Sequence, residues 1–267
     1  TNLVSGAGVV ATDVTGVGTA RYCLAACEYG GDKGIFGFGY DGSGWVQSTN
    51  LVSNAGVVAT DQAATTGTAR GYHAACSYGD DKGIFGFGYD GSAVGMTNLV
   101  SNSGVVATDV TAVGTGRYGI AACEYGGDKG IFGFGFNGGY SDATNLVSNT
   151  GVVASDVTGV GTARQYLAAC SYGEDKGIFR GGREGATIYS VTNLVSNAGV
   201  VASDVTGVGT ATRNLAATQY DDKGIFGFGN DGSICDITNL VSNAGVVATD
   251  VTGVGTAREF LAACSWG

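Results

Sequence analysis

The chain has 267 residues, with 50 glycines, no proline and a formal net charge of −10. Its 44% hydrophobic content excludes a disordered chain, and the lack of a Gly-X-Y period excludes collagen. No apolar run approaches the roughly 18 residues of a membrane-spanning helix and nothing at the N-terminus reads as a signal peptide; a chain that opens on Thr1 reads as processed, excised or partial.

The first element, Thr-Asn-Leu-Val-Ser at Thr1, recurs at Thr49, Thr97, Thr144, Thr192 and Thr238, at spacings of 48, 48, 47, 48 and 46. A fixed period of this size marks a repeat architecture. Within the unit beginning at Thr49, Thr49 to Ser53 meets Val57 to Asp61 across Asn54-Ala55-Gly56. Tyr72 to Tyr78 then meets Lys82 to Phe87 across Gly79-Asp80-Asp81. Runs of four to seven β-branched or aromatic residues, punctuated by glycine turns, predict antiparallel hairpins and no helix. Four short strands per unit, repeated six times, predict an all-β, six-bladed β-propeller of four-stranded blades, a single domain over 1–267.

The run Ala-Arg-x-x-Leu-Ala-Ala followed by Lys-Gly-Ile-Phe-Gly-Phe-Gly-Tyr-Asp-Gly resembles the kelch repeat, with the RCC1-type propeller repeat as the second match. The resemblance implies an inner segment a (LAACEY), followed by b (KGIFGFG), c (TNLVS) and d (GVVATD). The chain then opens on c and d, closes on a at Leu261 to Ser265, and builds its sixth blade from both termini. That blade lacks segment b, and the chain is about 21 residues short of six full units of 48. Either the missing strand lies outside this sequence or the ring is imperfect; a fragment of a longer array is the alternative.

In an antiparallel meander the a–b and c–d turns share one face, and the b–c and d–a connections share the other. The c–d turns barely change between units, whereas the b–c loops and the two residues after each Ala-Arg vary most. Both variable segments fall on one face. Charge divides the same way: the repeating framework carries 11 acids and ten bases, and the variable positions carry 12 acids against Arg180, Arg183 and Arg213. A net acidic surface argues against nucleic acid. It permits cations, basic partners or sugars, and it also serves solubility. Tyr22, Tyr72, Trp45, Asp90, Tyr140, Glu184 and Asp231 are the candidate ligand-binding residues, because amphipathic rings beside Asp and Asn suit sugar stacking or protein recognition. Tyr40 and Tyr89 read as local packing at the end of b.

Chemistry of other kinds has few residues to work with. The single histidine, His73, stands where other units place Leu or Ile and reads as a core substitution. A Ser-His-Asp triad could use only that residue, and a copper radical site of the galactose oxidase type needs more histidines. Five of the seven cysteines share one repeat position (Cys27, Cys76, Cys123, Cys170 and Cys264) and read as buried thiols; Cys23 and Cys235 have no evident mates. The Asp of d and the Arg eight or nine residues later, as in Asp13 and Arg21 or Asp61 and Arg70, read as a structural tie. The Asp-Gly-Ser loops carry too few carboxylates for calcium. In the fourth b segment Arg180 and Gly181 replace glycine and phenylalanine, so a neighbour or the Arg180 stem is expected to fill the gap. The chain is expected to be no enzyme, without metal or cofactor. It reads as a binding or adhesion module for a glycan or protein receptor. The alternative is a structural part of a virion or surface filament, since the array is similar to repeats of phage particle and microbial surface proteins; both place it on a virion or cell surface.

Overall fold

Short alternating runs closed by glycine turns can bury one face only by pairing and then stacking. The computed structural model describes residues 1–62, 66–111 and 113–266, and these are all-β, without a helix. The first sheet joins β1 (Ala25–Tyr29), β2 (Lys33–Gly37) and β3 (Thr49–Val52). The second joins β4 (Ala74–Tyr78), β5 (Lys82–Tyr89) and β6 (Ala93–Val100). The third joins β7 (Ala121–Tyr125), β8 (Lys129–Gly133) and β9 (Thr144–Val147). In the fourth, β10 (Ala168–Tyr172) and β11 (Lys176–Arg180) pair with β14 (Thr192–Val195), and β12 (Arg183–Glu184) and β13 (Thr187–Ile188) form a hairpin inside the connection. The fifth joins β15 (Ala216–Tyr220), β16 (Lys223–Asn230) and β17 (Ile234–Val241). All pairs are antiparallel and b is always central; Cys27 lies opposite Ile35, and Ile35 opposite Leu51.

These sheets have three strands, not the four expected. Segment d touches c only at isolated bridges: Val52 with Val58, then Thr49 with Gln62. Three steps along c thus match four along d, which is a β-bulge. The bulge is held by the Asn of c. Asn50 Nδ2 donates to the Ala59 carbonyl at 3.0 Å and to Asp61 Oδ1 at 2.8 Å, in the space a ladder bond would take.

Sheets stack through glycine. A Cβ on Gly83 would lie 2.5 Å from Cys27 Sγ, and one on Gly86 would lie 2.7 Å from the Phe132 ring. The five cysteines at this repeat position are therefore buried packing atoms, each seated on the next sheet's backbone. Burial pushes the Cys123 thiol up to about 12.

Successive units are tied by a buried arginine. The Arg117 side chain is 0% exposed and stacks 4.9 Å from the Phe87 ring of the preceding unit. It donates to Phe134 O (3.0 Å), Asn145 Oδ1 (2.6 Å) and Asp156 Oδ1 (3.1 Å). Arg70 and Arg164 repeat the arrangement over Phe38 and Phe134. The tie is structural as expected, but the pairing differs from the sequence reading. Asp61 meets Arg21 at 3.3 Å, not Arg70, and Asp13 meets Arg258 at 3.2 Å, not Arg21. The bulge turns each aspartate back toward the arginine entering its own sheet, while the downstream arginine is carried into the next one. Asp13 also receives the Thr256 hydroxyl at 2.6 Å, so the two ends of the chain touch.

One knot is rewired. Gly181 removes the ring and Thr212 removes the arginine that would have stacked on it. Arg180 replaces the guanidinium from the opposite strand, donating to Val208 O at 3.0 Å and Thr210 O at 3.3 Å, 1% exposed. The expected filling of this gap is thus made by Arg180 itself. Two measurements check this account. Arg117→Met leaves Asn145 Oδ1 without its donor and Asp156 without its counter-charge and is expected to cost ~3–5 kcal/mol in urea unfolding. Arg180→Gly is expected to destabilise by a similar ~3–5 kcal/mol, and the triple change Arg180→Gly, Gly181→Phe, Thr212→Arg to recover most of it; a triple variant no better than the single one refutes the rewiring.

Candidate functional site

The residue two places after each unit's Arg, or after the Thr212 that replaces it, adopts a left-handed conformation: φ is 58° at Cys23, 55° at Tyr72, 64° at Gly119, 60° at Tyr166, 55° at Asn214 and 58° at Phe260. For a non-glycine residue this conformation is strained and must be held by its surroundings. Here the hold is a cycle of backbone hydrogen bonds. Cys23 N donates to Phe260 O (3.0 Å), Phe260 N to Asn214 O (3.0 Å), and Asn214 N to Tyr166 O (2.9 Å). Tyr166 N then donates to Gly119 O (2.7 Å), Gly119 N to Tyr72 O (2.8 Å), and Tyr72 N back to Cys23 O (3.0 Å). These residues and the ones that follow each of them line a small cavity of about 70 Å³.

Immediately outside this cycle, the preceding residue of each pair bridges to the start of a b–c loop: Tyr22 to Tyr40, Gly71 to Tyr89, Tyr118 to Phe136, Gln165 to Arg183 and Arg213 to Asn230. The two variable segments are therefore joined on one face. The constant turns lie together elsewhere, where Asn102 Nδ2 donates to Asp81 Oδ2 at 3.0 Å, a contact repeated by Asn149 and Asp128 at 2.9 Å.

The variable face has two unlike arcs. One is aromatic. Trp45 packs edge-on against Tyr40 (5.0 Å), Tyr72 (5.7 Å) and Tyr89 (6.0 Å), over the bare backbone of Gly71. Tyr89 continues to Tyr118 (5.2 Å), Tyr118 to Phe136 (5.6 Å) and Phe136 to Tyr140 (5.1 Å). Tyr72 also meets Tyr166 and Phe260 across the cycle at 5.6 and 5.7 Å. The other arc is polar: Gln165, Arg183, Arg213, Asn214 and Glu259. Among its buried atoms, Gln165 Oε1, Arg183 Nε, Arg213 Nε and Asn214 Oδ1 have no hydrogen-bond partner, which is costly unless something else supplies one. Asn214 Nδ2 donates to Glu259 at 2.6 Å, and Arg183 lies over the Tyr166 ring at 5.3 Å. Burial pushes the Tyr166 hydroxyl up to about 12, so it is a neutral donor.

Of the candidate residues, Tyr22, Trp45, Tyr72 and Tyr140 enter this network, and Tyr22 is the most exposed of them at 44%. Tyr40 and Tyr89, read as local packing, are links in it. Asp90, Glu184 and Asp231 stand on the rim. Asp90 and Asp231 accept the Ser92 and Ser233 amides at 3.1 and 3.0 Å, which shapes their own turns, and Glu184 accepts the Tyr189 hydroxyl at 3.1 Å. Tyr118, Tyr166, Phe260, Arg183 and Arg213 were not nominated from sequence. The signal was available for the first three, since they occupy the same two columns as Tyr22 and Tyr72.

His73 is 5% exposed, between the Phe38 and Phe85 rings at 5.3 and 5.7 Å; burial, then the Arg70 charge, hold it neutral. It packs as the leucine it replaces. Among the described residues no three His, Cys, Asp or Glu side chains converge as metal ligands would. No helix of the structure is long and apolar enough to cross a membrane. Comparison with known proteins finds no protein-family model and no curated protein that matches the chain.

Strand a also carries acids away from this face. Burial pushes Glu124 up to about 8, with Glu28, Asp80 and Asp128 adding to the effect. A carboxyl that binds its proton more tightly when folded stabilises fully below its ordinary value of 4.5 and loses that contribution as pH rises through 8. Asp61 behaves oppositely. Burial disfavours its charge, but hydrogen bonds from Thr19 and Asn50 and the Arg21 charge outweigh it and hold the carboxyl at about 2. Its contribution is lost as pH falls from 3.8 toward 2. The urea midpoint is therefore expected to fall between about pH 5 and pH 8, and Glu124→Gln to flatten that slope; an unchanged slope in the variant refutes the assignment.

Proposed function

We propose that the chain is a non-enzymatic binding module, a kelch-like six-bladed β-propeller whose variable face holds a receptor glycan. The ring reading is supported by six units of one period, by the cycle of hydrogen bonds running once through every unit, and by the contact of Asp13 with Thr256 and Arg258. The ligand reading rests on one observation: buried polar atoms without partners share a face with a continuous aromatic arc. A pyranose presents C–H faces for rings and hydroxyls for such atoms. The acidic rim adds acceptors and discourages polyanions.

A glycan array followed by titration of the best hit tests this. Trp45→Ala with Tyr140→Ala is expected to weaken binding by about tenfold or more, while Lys82→Ala with Lys129→Ala on the constant face leaves it unchanged. If the lysine pair abolishes binding and the aromatic pair does not, the wrong face has been assigned; capture of a deglycosylated receptor moves the reading to a protein ligand.

A second reading, a structural part of a virion or filament, is favoured by the exposed valines of d. Val9, Val57, Val105, Val152, Val200 and Val246 are 64–66% exposed at equivalent sites along an edge that is only bridged. Ordered self-association in sedimentation experiments, lost on replacing these valines with threonine, would favour it.

A further inference from the structure

Between the β15–β17 sheet and the β1–β3 sheet lies a groove of about 910 Å³, at the place where the sixth unit has a and c but no b. In every other unit b is the central strand, so both flanking segments here face the groove with unused edges. Leu261–Trp266, the equivalent of β1, carries no ladder among the described residues, and Thr1–Ser5 pairs with d alone, through Val4 and Val10.

Three side-chain sites along the groove are each missing a specific partner. Gly37, Gly86 and Gly133 each lie under a phenylalanine of the next sheet, so that a Cβ there would come within 2.7–2.9 Å of the Phe85, Phe132 or Phe179 ring. Gly227, the same position in β16, has no ring over it, and its hypothetical Cβ meets only Thr238 and Ile237. On the other wall, Phe36 is only half-buried, whereas Phe85, Phe132, Phe179 and Phe226 are at 0%. Finally, Arg70, Arg117, Arg164 and Arg258 each stack on a phenylalanine at 4.3–4.9 Å. Arg21 lines the groove with its side chain 3% exposed, and among the described residues it has no ring against it and its Nε has no partner.

We infer that this groove is an acceptor site for an extended peptide strand of the pattern Ile-Phe-Gly-Phe. The first ring fits Gly227, the glycine accepts Phe36, and the second ring fits beneath Arg21. By the register of the other sheets the isoleucine falls opposite Cys264 and Leu3, and the first phenylalanine opposite Ala263 and Asn2. Addition of a strand between two unpaired edges supplies backbone hydrogen bonds, and the three side-chain sites supply selectivity. The inference rests on the ring reading above and not on the glycan reading.

The test uses the 267-residue chain and a fluorescein-labelled synthetic peptide Gly-Asp-Lys-Gly-Ile-Phe-Gly-Phe-Gly, read by anisotropy. The expected result is saturable binding of one peptide per chain. Replacing either peptide phenylalanine with alanine, or the glycine between them with valine, should weaken it by about tenfold or more. Gly227→Ala in the protein should do the same with an unchanged unfolding midpoint. A scrambled peptide that binds equally well, no binding, or self-association of the chain that the peptide does not compete with overturns the inference. Glycan titration of the same samples separates the two proposals: peptide uptake without glycan binding removes only the ligand reading, and the converse removes only the acceptor site.

Discussion

A guanidinium buried between two repeats is the constraint from which most of this structure follows. Taking such a charge out of water costs several kcal/mol unless every donor is used. The repeat uses them with a carbonyl, an asparagine and an aspartate from neighbouring segments, and covers the open face with the preceding unit's phenylalanine. This explains why the bulge in d is tolerated: a regular fourth strand would satisfy more backbone groups but would point the aspartate away from the arginine. It also explains why the framework is nearly neutral in charge while the chain is not, because five of the six acids of d have an arginine built in, Asp250 being the one whose arginine is replaced by Thr212.

The same requirement makes departures from the repeat informative. Buried polar atoms without partners are rare in native proteins and each asks for a reason. Apart from the two ring nitrogens of His73, enclosed between Phe38 and Phe85, those of the described residues fall into three places. Arg180 Nε marks the rewired knot, where a guanidinium arriving from the wrong strand reaches its carbonyls but cannot use every donor. Arg21 Nε and Asn2 Oδ1 border the groove of the sixth unit, where segment b is lacking. Gln165, Arg183, Arg213 and Asn214 belong to the polar arc, where the variable columns replace rings by amides and guanidinia. The first is self-compensated, and the other two stand at a groove and on a surface that a further molecule can reach.

The period, the hairpins, the central place of b and the sharing of one face by both variable segments were all legible in the sequence. They depend on local patterning, glycine turns and strand alternation. The number of strands per sheet was not, because it is decided by the Asn50 side chain competing for the Ala59 carbonyl. The partner of each aspartate was also missed. Asp61 and Arg70 are neighbours in sequence, yet the contact is to Arg21, 40 residues earlier. At the candidate site, Trp45 and Tyr140 could be picked from their loops, but Tyr166 and Phe260 join the cluster through the hydrogen-bonded cycle and Tyr118 through its bridge to Phe136. That cycle brings together residues about one repeat apart.

The knot also sets what a repeat is. A boundary drawn at Thr-Asn-Leu-Val-Ser cuts every tie, because Phe87, Arg117 and the pair Asn145 and Asp156 come from three successive units so defined. A substitution at one corner is therefore felt by two neighbours, and the changes at Arg180, Gly181 and Thr212 make sense only together. The variable columns carry no such tie: Tyr22, Gly71, Tyr118, Gln165, Arg213 and Glu259 share a position but not a chemistry. The first five need only their backbone to bridge a loop, and Glu259 stands where segment b is lacking. Side chains there are free to differ from unit to unit, and a face that is aromatic on one arc and polar on the other can arise on a scaffold whose six units are otherwise held nearly identical.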